Sequence, residues 1–423
     1  MPISLLLSAP LPCPPPPLLR HGTRRFPAPL RSSLPLPPLR LALAAARGGG
    51  GGRLPVETRR VRAAAAVRVS GGGGDGETES GAGTGITAAA AVTVALAVMN
   101  RVLYKLALVP MKNYPFFLAQ VLTFGYVAVY FTILFVRYQA GIVTREMLAL
   151  PKSRFMLIGL LEAMGVASGM AAAEQLYTLN TPAVVFQSFL VWQLILSVIV
   201  LGRKYRANQI LGCLLVTTGV ILSVVSGANG GSSLSDVKFF WPAVLMASSA
   251  CQAGASIIKE FVFIDGAKRL EGKRPDIFVV NSFGSGFQAL FVLLLLPFLS
   301  NLKGIPLTEL PAYVKSGAAC FLNVGGNLND CPGAPLLPLL FITMNMAFNI
   351  SVLNLVKMST ALVASLTATL AVPLSIYVLS LPLPYMPGGT SLSTSFLVGA
   401  AVLVLGLLLY NLPQNSADQM KTE

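Results

Sequence analysis

Between residues 86 and 412 the chain runs through a succession of apolar stretches, separated by short polar or basic connections. Each is about 20 residues long, the length of helix that crosses a hydrocarbon core of roughly 30 Å. In lipid every backbone N–H and C=O must be satisfied within the protein, so runs of this length read as helices. The expected spans are 86–109, 115–136, 155–178, 182–202, 207–226, 239–262, 277–300, 335–357, 360–381 and 393–412. Composition agrees. Of 423 residues, 54% are hydrophobic and only 11% charged, and the mean hydropathy is +0.71. A soluble chain carries about 25% charged residues. The third span is the least regular, because Glu162 and Glu174 interrupt it.

The connections test the count. With ten spans, thirteen Lys and Arg residues (Arg137, Arg145, Lys152, Arg154, Arg203, Lys204, Arg206, Lys268, Arg269, Lys273, Arg274, Lys357 and Lys421) fall on the side of the N-terminus. Only Lys112, Lys238, Lys303 and Lys315 fall on the other. This bias places both termini on the side from which the protein inserts. Shifting the count by one span destroys the alternation.

The two halves echo each other. Leu211 to Leu222 in the fifth span matches Val398 to Leu409 in the tenth, and both place glycines seven residues apart: Gly212 with Gly219, and Gly399 with Gly406. Small residues two turns apart let a neighbouring helix approach closely. A second echo opens the fourth and ninth spans, Asn180-Thr181-Pro182-Ala183 against Ser359-Thr360-Ala361-Leu362. A five-span unit reverses direction in its second copy, which is the inverted-repeat architecture of transporters, with the site near midplane between the halves. The expected fold is therefore an all-α integral membrane protein of ten transmembrane helices in a 5+5 inverted repeat. Its parts are a first repeat over 86–226, a connection over 227–238, a second repeat over 239–412 with a long loop at 301–334, and a tail over 413–423.

The first 85 residues are different. They hold 11 Arg, no Lys and four acids, none before Glu57. An acid-poor, Arg-rich leader reads as an organelle transit peptide. Val61-Arg62-Ala63-Ala64 resembles a plastid processing pattern, so 1–63 is expected to be the transit peptide and 64–85 a disordered linker. The alternatives are a basic tail that stays attached and, for a leader so rich in Arg and poor in Ser, a mitochondrial address. The plastid inner envelope, with both termini in the stroma, is the expected location.

The single histidine, His21, lies in that leader. The mature chain then lacks His for a Ser-His-Asp triad or a His-ligated metal. No G-x-x-x-x-G-K-[ST] run is present to bind ATP phosphates. The expectation is a protein that is not an enzyme, needs no cofactor, binds no nucleic acid, and works by gradients or exchange.

Asn100, Arg101 and Lys105 break the apolar first span. A cation in the bilayer costs roughly 2.5–3.5 kcal/mol by insertion scales and usually faces a polar interior. Arg101 and Lys105, four apart, share a helix face. The run Val98-Met99-Asn100-Arg101-Val102-Leu103-Tyr104-Lys105, with Asn113-Tyr114-Pro115-Phe116 after it, resembles the first span of the chloroquine-resistance-transporter family. There a Met-Asn-Lys core precedes a second Lys and an Asn-Tyr-x-Phe; Arg101 stands at the core lysine. With the leader, the chain is similar to the plant chloroplast branch, the CRT-like thiol transporters of the drug/metabolite transporter superfamily. The resemblance extends over roughly 86–412. It implies movement of glutathione and γ-glutamylcysteine between plastid and cytosol. It also implies paired cysteines in the loop between spans seven and eight. Cys320 and Cys331 are the two available, so at most one disulfide is implied where the parasite relatives carry more cysteines.

The candidate substrate-binding residues are Asn100, Arg101, Lys105, Glu162, Glu174, Gln187, Gln252, Ser256, Asn345 and Asn349. Arg101 reads in two ways, as the ion-pair partner of Glu162 or Glu174, or as the guanidinium that receives a substrate carboxylate. Glu162 or Glu174, held between burial and a cation, is also a candidate proton carrier. Gln252, Ser256 and Lys259 share a face of the sixth span and Asn345 and Asn349 a face of the eighth. Such uncharged groups either line a cavity or bond neighbouring helices. Lys259 sits near the end of its span, where an interfacial position is the alternative. Cys213 and Cys251 read as apolar packers. The function expected from all this is secondary transport of small anionic thiol peptides, with protons as possible co-substrates. The rival readings are another anionic metabolite, an amino acid, or a non-transporting membrane scaffold.

Overall fold

The computed structural model describes residues 78–175, 188–225, 240–324, 331–382 and 394–411. Every regular element among them is a helix: α1 (Thr78–Ala107), α2 (Pro115–Gln139), α3 (Arg145–Leu148), α4 (Lys152–Gln175), α5 (Ser188–Leu201), α6 (Ala207–Val225), α7 (Phe240–Arg269), α8 (Ile277–Leu302), α9 (Leu310–Leu322), α10 (Leu336–Met358), α11 (Ala361–Ser380) and α12 (Thr394–Asn411). Seven are long and apolar enough to cross a membrane, namely those containing Gly85–Ala107, Pro115–Gln139, Lys152–Ala172, Phe240–Arg269, Ile277–Leu302, Leu336–Met358 and Ala361–Ser380. Shorter apolar helices over Ser188–Leu201, Ala207–Leu222 and Phe396–Asn411 fall in the fourth, fifth and tenth expected ranges. The leader 1–63, the connection 227–238 and the tail 413–423 lie outside the described residues.

Two boundaries differ from expectation. Helix α1 begins at Thr78, inside the stretch read as linker. The stretch 301–334, read as a long loop, contains helix α9. Leu310, Gly317, Cys320 and Phe321 bury one face of α9, and Asn323 ends it in a left-handed conformation at φ 54°. Gly317 lies on Phe117 of α2 so closely that a Cβ there would stand 2.7 Å from the ring. An amphipathic helix of 13 residues is too short to register as a transmembrane run.

Starts and stops follow local chemistry. The Asp276 carboxylate accepts from the Phe278 N–H at 2.9 Å to cap α8, and Thr360 Oγ1 accepts from the Val363 N–H at 3.1 Å to cap α11. Thr360 belongs to the second copy of the echoed tetrapeptide; its first copy, 180–183, lies outside the described residues.

The principal helix pairings join the first half of the chain to the second. Helix α1 packs on α10 and α11, α2 on α8, α4 on α7 and α8, α5 on α7, and α6 on α12. The α6–α12 contact runs through the echoed glycines. A Cβ on Gly212 would stand 2.8 Å from the Gly406 carbonyl oxygen, and one on Gly406 2.8 Å from that of Gly212. Outside these seams the surface is apolar, with Phe135, Ile199, Leu294 and Leu408 exposed, as suits a lipid-facing wall.

Ionic groups gather where helices that carry the loop charges end. Arg137 at the end of α2 pairs with Asp276 at the start of α8 at 2.6 Å. Asp265 of α7 pairs with Arg154 of α4 and, at 2.6 Å, with Arg269. Arg203, after α5, pairs with the buried Glu260 of α7. The other oxygen of Glu260 accepts the Ala361 N–H at 2.8 Å, so one carboxylate holds both Arg203 and the first turn of α11.

Candidate functional site

Inside the apolar shell lies a polar cleft built mainly from α2, α4, α7 and α8. Thr123, Tyr126 and Tyr130 of α2 face it, as do Glu162 of α4, Lys259 of α7 and Asn281, Ser285 and Gln288 of α8. A second cleft continues toward α10 and α11 and is lined by Ser256, Asn349 and Ser365. Lys259, Asn281 and Asn349 line both clefts, so the two share one polar seam.

The electrostatic centre of that seam is a pair. Lys259 Nζ donates to Glu162 Oε1 at 2.6 Å, and both side chains are largely buried. In a low-dielectric interior such a pair attracts strongly, while each charge carries a desolvation cost of several kcal/mol. Glu162 therefore meets Lys259, and among the described residues Arg101 has no carboxylate partner.

A hydrogen-bonded network adjoins the pair. The Tyr126 hydroxyl donates to Asn345 Oδ1. Asn345 Nδ2 donates to Asn100 Oδ1 at 2.9 Å, and Asn349 Nδ2 donates to the Tyr126 oxygen at 2.8 Å. Four side chains from α1, α2 and α10 are thus tied in one chain. Tyr126 stacks on Tyr130 with ring centroids 5.3 Å apart and planes 6° from parallel. Two buried groups on the cleft wall have no hydrogen-bond partner among the described residues: the Tyr130 hydroxyl and Asn281 Nδ2.

The sequence-derived candidates divide accordingly. Glu162, Ser256 and Asn349 line the clefts, and Asn100 and Asn345 join them through the network. Arg101 turns to α11, where both terminal guanidinium nitrogens donate to the Ala368 carbonyl at 3.3–3.4 Å. Neither Arg101 nor the half-buried Lys105 lines either cleft. Gln252 is buried at the α4–α7 contact, donating to Ser248 Oγ at 3.4 Å while Ser248 donates to the Gly165 carbonyl at 2.6 Å. The side chains of Glu174 and Gln187 lie outside the described residues. Cys320 and Cys331 are joined by a disulfide, and Cys213 and Cys251 are free. Among the described residues no three His, Cys, Asp or Glu side chains cluster as a metal site.

Sequence reading passed over the α2 and α8 walls. Asn281, Ser285 and Gln288 repeat at i, i+4 and i+7, the signal that drew attention to Gln252, Ser256 and Lys259 on α7. Tyr126 and Tyr130 are one turn apart, but aromatics in an apolar span look like any other packing residue.

Comparison with known proteins adds the lineage. Residues 86–410 match the family described as CRT-like, chloroquine-resistance transporter-like. The chain is 64% identical over 325 residues to "Protein CLT2, chloroplastic" of Arabidopsis thaliana, which covers 77% of this chain and 75% of that one. It is 54% identical over 316 residues to "Protein CLT1, chloroplastic" of the same plant, covering 75% and 70%. To "Protein CLT3, chloroplastic" it is 51% identical over 329 residues, covering 78% and 73%. The match takes in the apolar body from α1 through α12, cleft and network included. With a polar seam enclosed by apolar helices and a family match across that whole body, the chain belongs to the CRT-like, chloroquine-resistance transporter-like family of membrane transporters.

Proposed function

We propose that this protein is a secondary transporter of small γ-glutamyl thiol peptides, glutathione and γ-glutamylcysteine, between plastid and cytosol. The observation that carries the reading is the Lys259–Glu162 pair in a polar cleft between helices of the two halves of the chain. Glutathione near neutral pH carries two carboxylates and one ammonium, net about −1. A cleft offering an ammonium, a carboxylate and several amides and hydroxyls complements such a zwitterion. The thiol-peptide cargo itself rests on resemblance to the plant branch.

The working cycle is alternating access in a ten-helix, 5+5 inverted repeat. Two features support it. The glycines echoed between the fifth and tenth spans meet face to face in the α6–α12 contact. The pairings also exchange with the halves: α4 on α7 answers α10 on α1, and α5 on α7 answers α11 on α1. The ionic contacts at one end of the bundle would then hold that end shut. Arg101 and Lys105 add positive potential to the site from α1, Asn100 supplies an amide tied to it through Asn345, and Glu162 is the proposed proton carrier. The chloroplastic relatives and the basic connections support a place in the plastid inner envelope with both termini in the stroma.

Uptake into liposomes tests the reading. Purified protein is expected to accumulate labelled glutathione and γ-glutamylcysteine, faster with an imposed pH gradient. Uptake of control anions without the thiol peptides would reject the cargo, and no uptake of any solute would favour a scaffold. A rate indifferent to the pH gradient would remove the proton from the cycle.

A further inference from the structure

We infer that Lys259, Asn281 and Tyr130 form a subsite for a substrate carboxylate, and that the Glu162 carboxylate occupies it until substrate displaces it. The inference deepens the transport reading above and rests on it.

Three observations converge. Lys259 is the cation that lines both clefts, and its ammonium is already engaged by a carboxylate oxygen at 2.6 Å. Glu162 thus stands in for the chemistry the place accepts. Second, Asn281 Nδ2 is a buried donor on the same wall with no partner among the described residues, and Asn281 is only 8% exposed. Third, the Tyr130 hydroxyl, on a side chain 2% exposed, is likewise unpartnered and lines the cleft with Glu162. Leaving a buried polar group unmatched is costly, so two on one wall point to a ligand that supplies acceptors. A carboxylate has two oxygens and about four acceptor sites, enough for one ammonium and two further donors. Glu162 alone leaves Asn281 Nδ2 and the Tyr130 hydroxyl unmet; an incoming carboxylate free of the α4 backbone can satisfy all three.

The arrangement makes Glu162 an internal competitor. Charged and hydrogen-bonding groups that face the pair are Thr123, Tyr126 and Tyr130 from α2, Asn281, Ser285 and Gln288 from α8, and Asn349 from α10. None of these is a second carboxylate or a second cation, so the exchange of one carboxylate for another keeps Lys259 paired, and the displaced Glu162 carboxylate is neutralised by taking up a proton. Arg101 plays no part in this subsite, since its guanidinium is held by the Ala368 carbonyl.

The test uses full-length protein in liposomes and compares glutathione with its diamide, and succinate with succinamide, as competitors of labelled substrate uptake. Glu162→Gln is expected to lower the KM for glutathione several-fold, because the competing carboxylate is gone. Lys259→Gln is expected to erase the preference for glutathione over its diamide, a loss of about tenfold or more from removing a charge-assisted bond. That variant leaves Glu162 buried alone, so the double variant E162Q/K259Q, which buries no charge, is made beside it and is expected to lose the same preference. Asn281→Ala and Tyr130→Phe are expected to raise KM with little change in kcat. A folded E162Q/K259Q protein that still prefers the acid over the amide as wild type does would overturn the subsite. If wild type carries succinate and not glutathione, the cargo assignment fails while the succinate-to-succinamide ratio across the same variants still decides the subsite.

Discussion

Gly219 of α6 lies against the backbone of α12 so closely that a Cβ would stand 2.4 Å from the Leu403 nitrogen. Backbone cannot move aside as a side-chain tip can. Gly219→Val is therefore expected to exceed the roughly 1–3 kcal/mol of ordinary overpacking and to lower the thermal midpoint by about 5–10 °C. Size-exclusion chromatography of the heated, detergent-purified protein reads this. A midpoint within a degree of wild type would mean that the two helices are not so close.

Glu260 joins Arg203 to the first turn of α11. Removing one partner of a buried ion pair costs roughly 3–5 kcal/mol, because the other charge is stranded. Arg203 is a third exposed, which places Glu260→Ala at the low end of that range. Glu260→Gln retains an oxygen for the Ala361 N–H and is expected to lose about half as much. The order of midpoints, wild type above Gln above Ala, is the check.

Tyr126 and Tyr130 stack on one another yet differ in their hydroxyls. Tyr126 serves Asn345 and Asn349, whereas the Tyr130 hydroxyl has no partner among the described residues. Tyr126→Phe is expected to cost about 1–3 kcal/mol of stability. Tyr130→Phe, which removes an unmatched buried hydroxyl, is expected to leave the midpoint unchanged or raised. Equal losses from the two would contradict the network.

Arg101→Gln separates a tie between helices from a wall of the transport site. The lost bond to Ala368 is expected to cost about 1–2 kcal/mol. As part of the positive wall, Arg101 is also expected to raise the KM for glutathione several-fold when neutralised. A lower midpoint with KM unchanged would leave it a helix tie alone.

The Cys320–Cys331 disulfide closes a short segment of chain, with a sequence separation of 11. Chain-entropy reasoning for a loop of that size gives about 2–3 kcal/mol. Cys331→Ser is expected to lower the midpoint, and a reductant to lower wild type to the same value without affecting the variant. Additive losses would show that the reductant acts elsewhere.

Much of this was readable along the chain because the bilayer imposes length and polarity on every span. Asn100, Glu162, Ser256, Asn345 and Asn349 stand out as polar residues in apolar runs, and all five reach the polar seam or its network. Arg101 stands out equally and turns instead to a backbone carbonyl. A cation in a span must find an acceptor, but periodicity does not say whether that is a carboxylate, a carbonyl or a ligand. Lys259 is the opposite case. Near the end of its span it looked interfacial, and it proves to be the cation of the cleft because Glu162 of α4 lies alongside. Helix α9 went unread for a related reason, being amphipathic and short inside a stretch with no full apolar run.

By itself the amino-acid sequence determined an all-helical membrane protein, the places where helices run, the glycine seam and the stock of polar groups available to a site. These follow from local rules: a lipid solvent, a period of 3.6 residues and the size of a side chain. Only the tertiary structure decided that each half packs chiefly on the other, and that Lys259 meets Glu162 while Arg101 meets Ala368. Those pairings join residues roughly 100 to 270 positions apart, and apolar helix faces in lipid are nearly interchangeable until close packing selects among them.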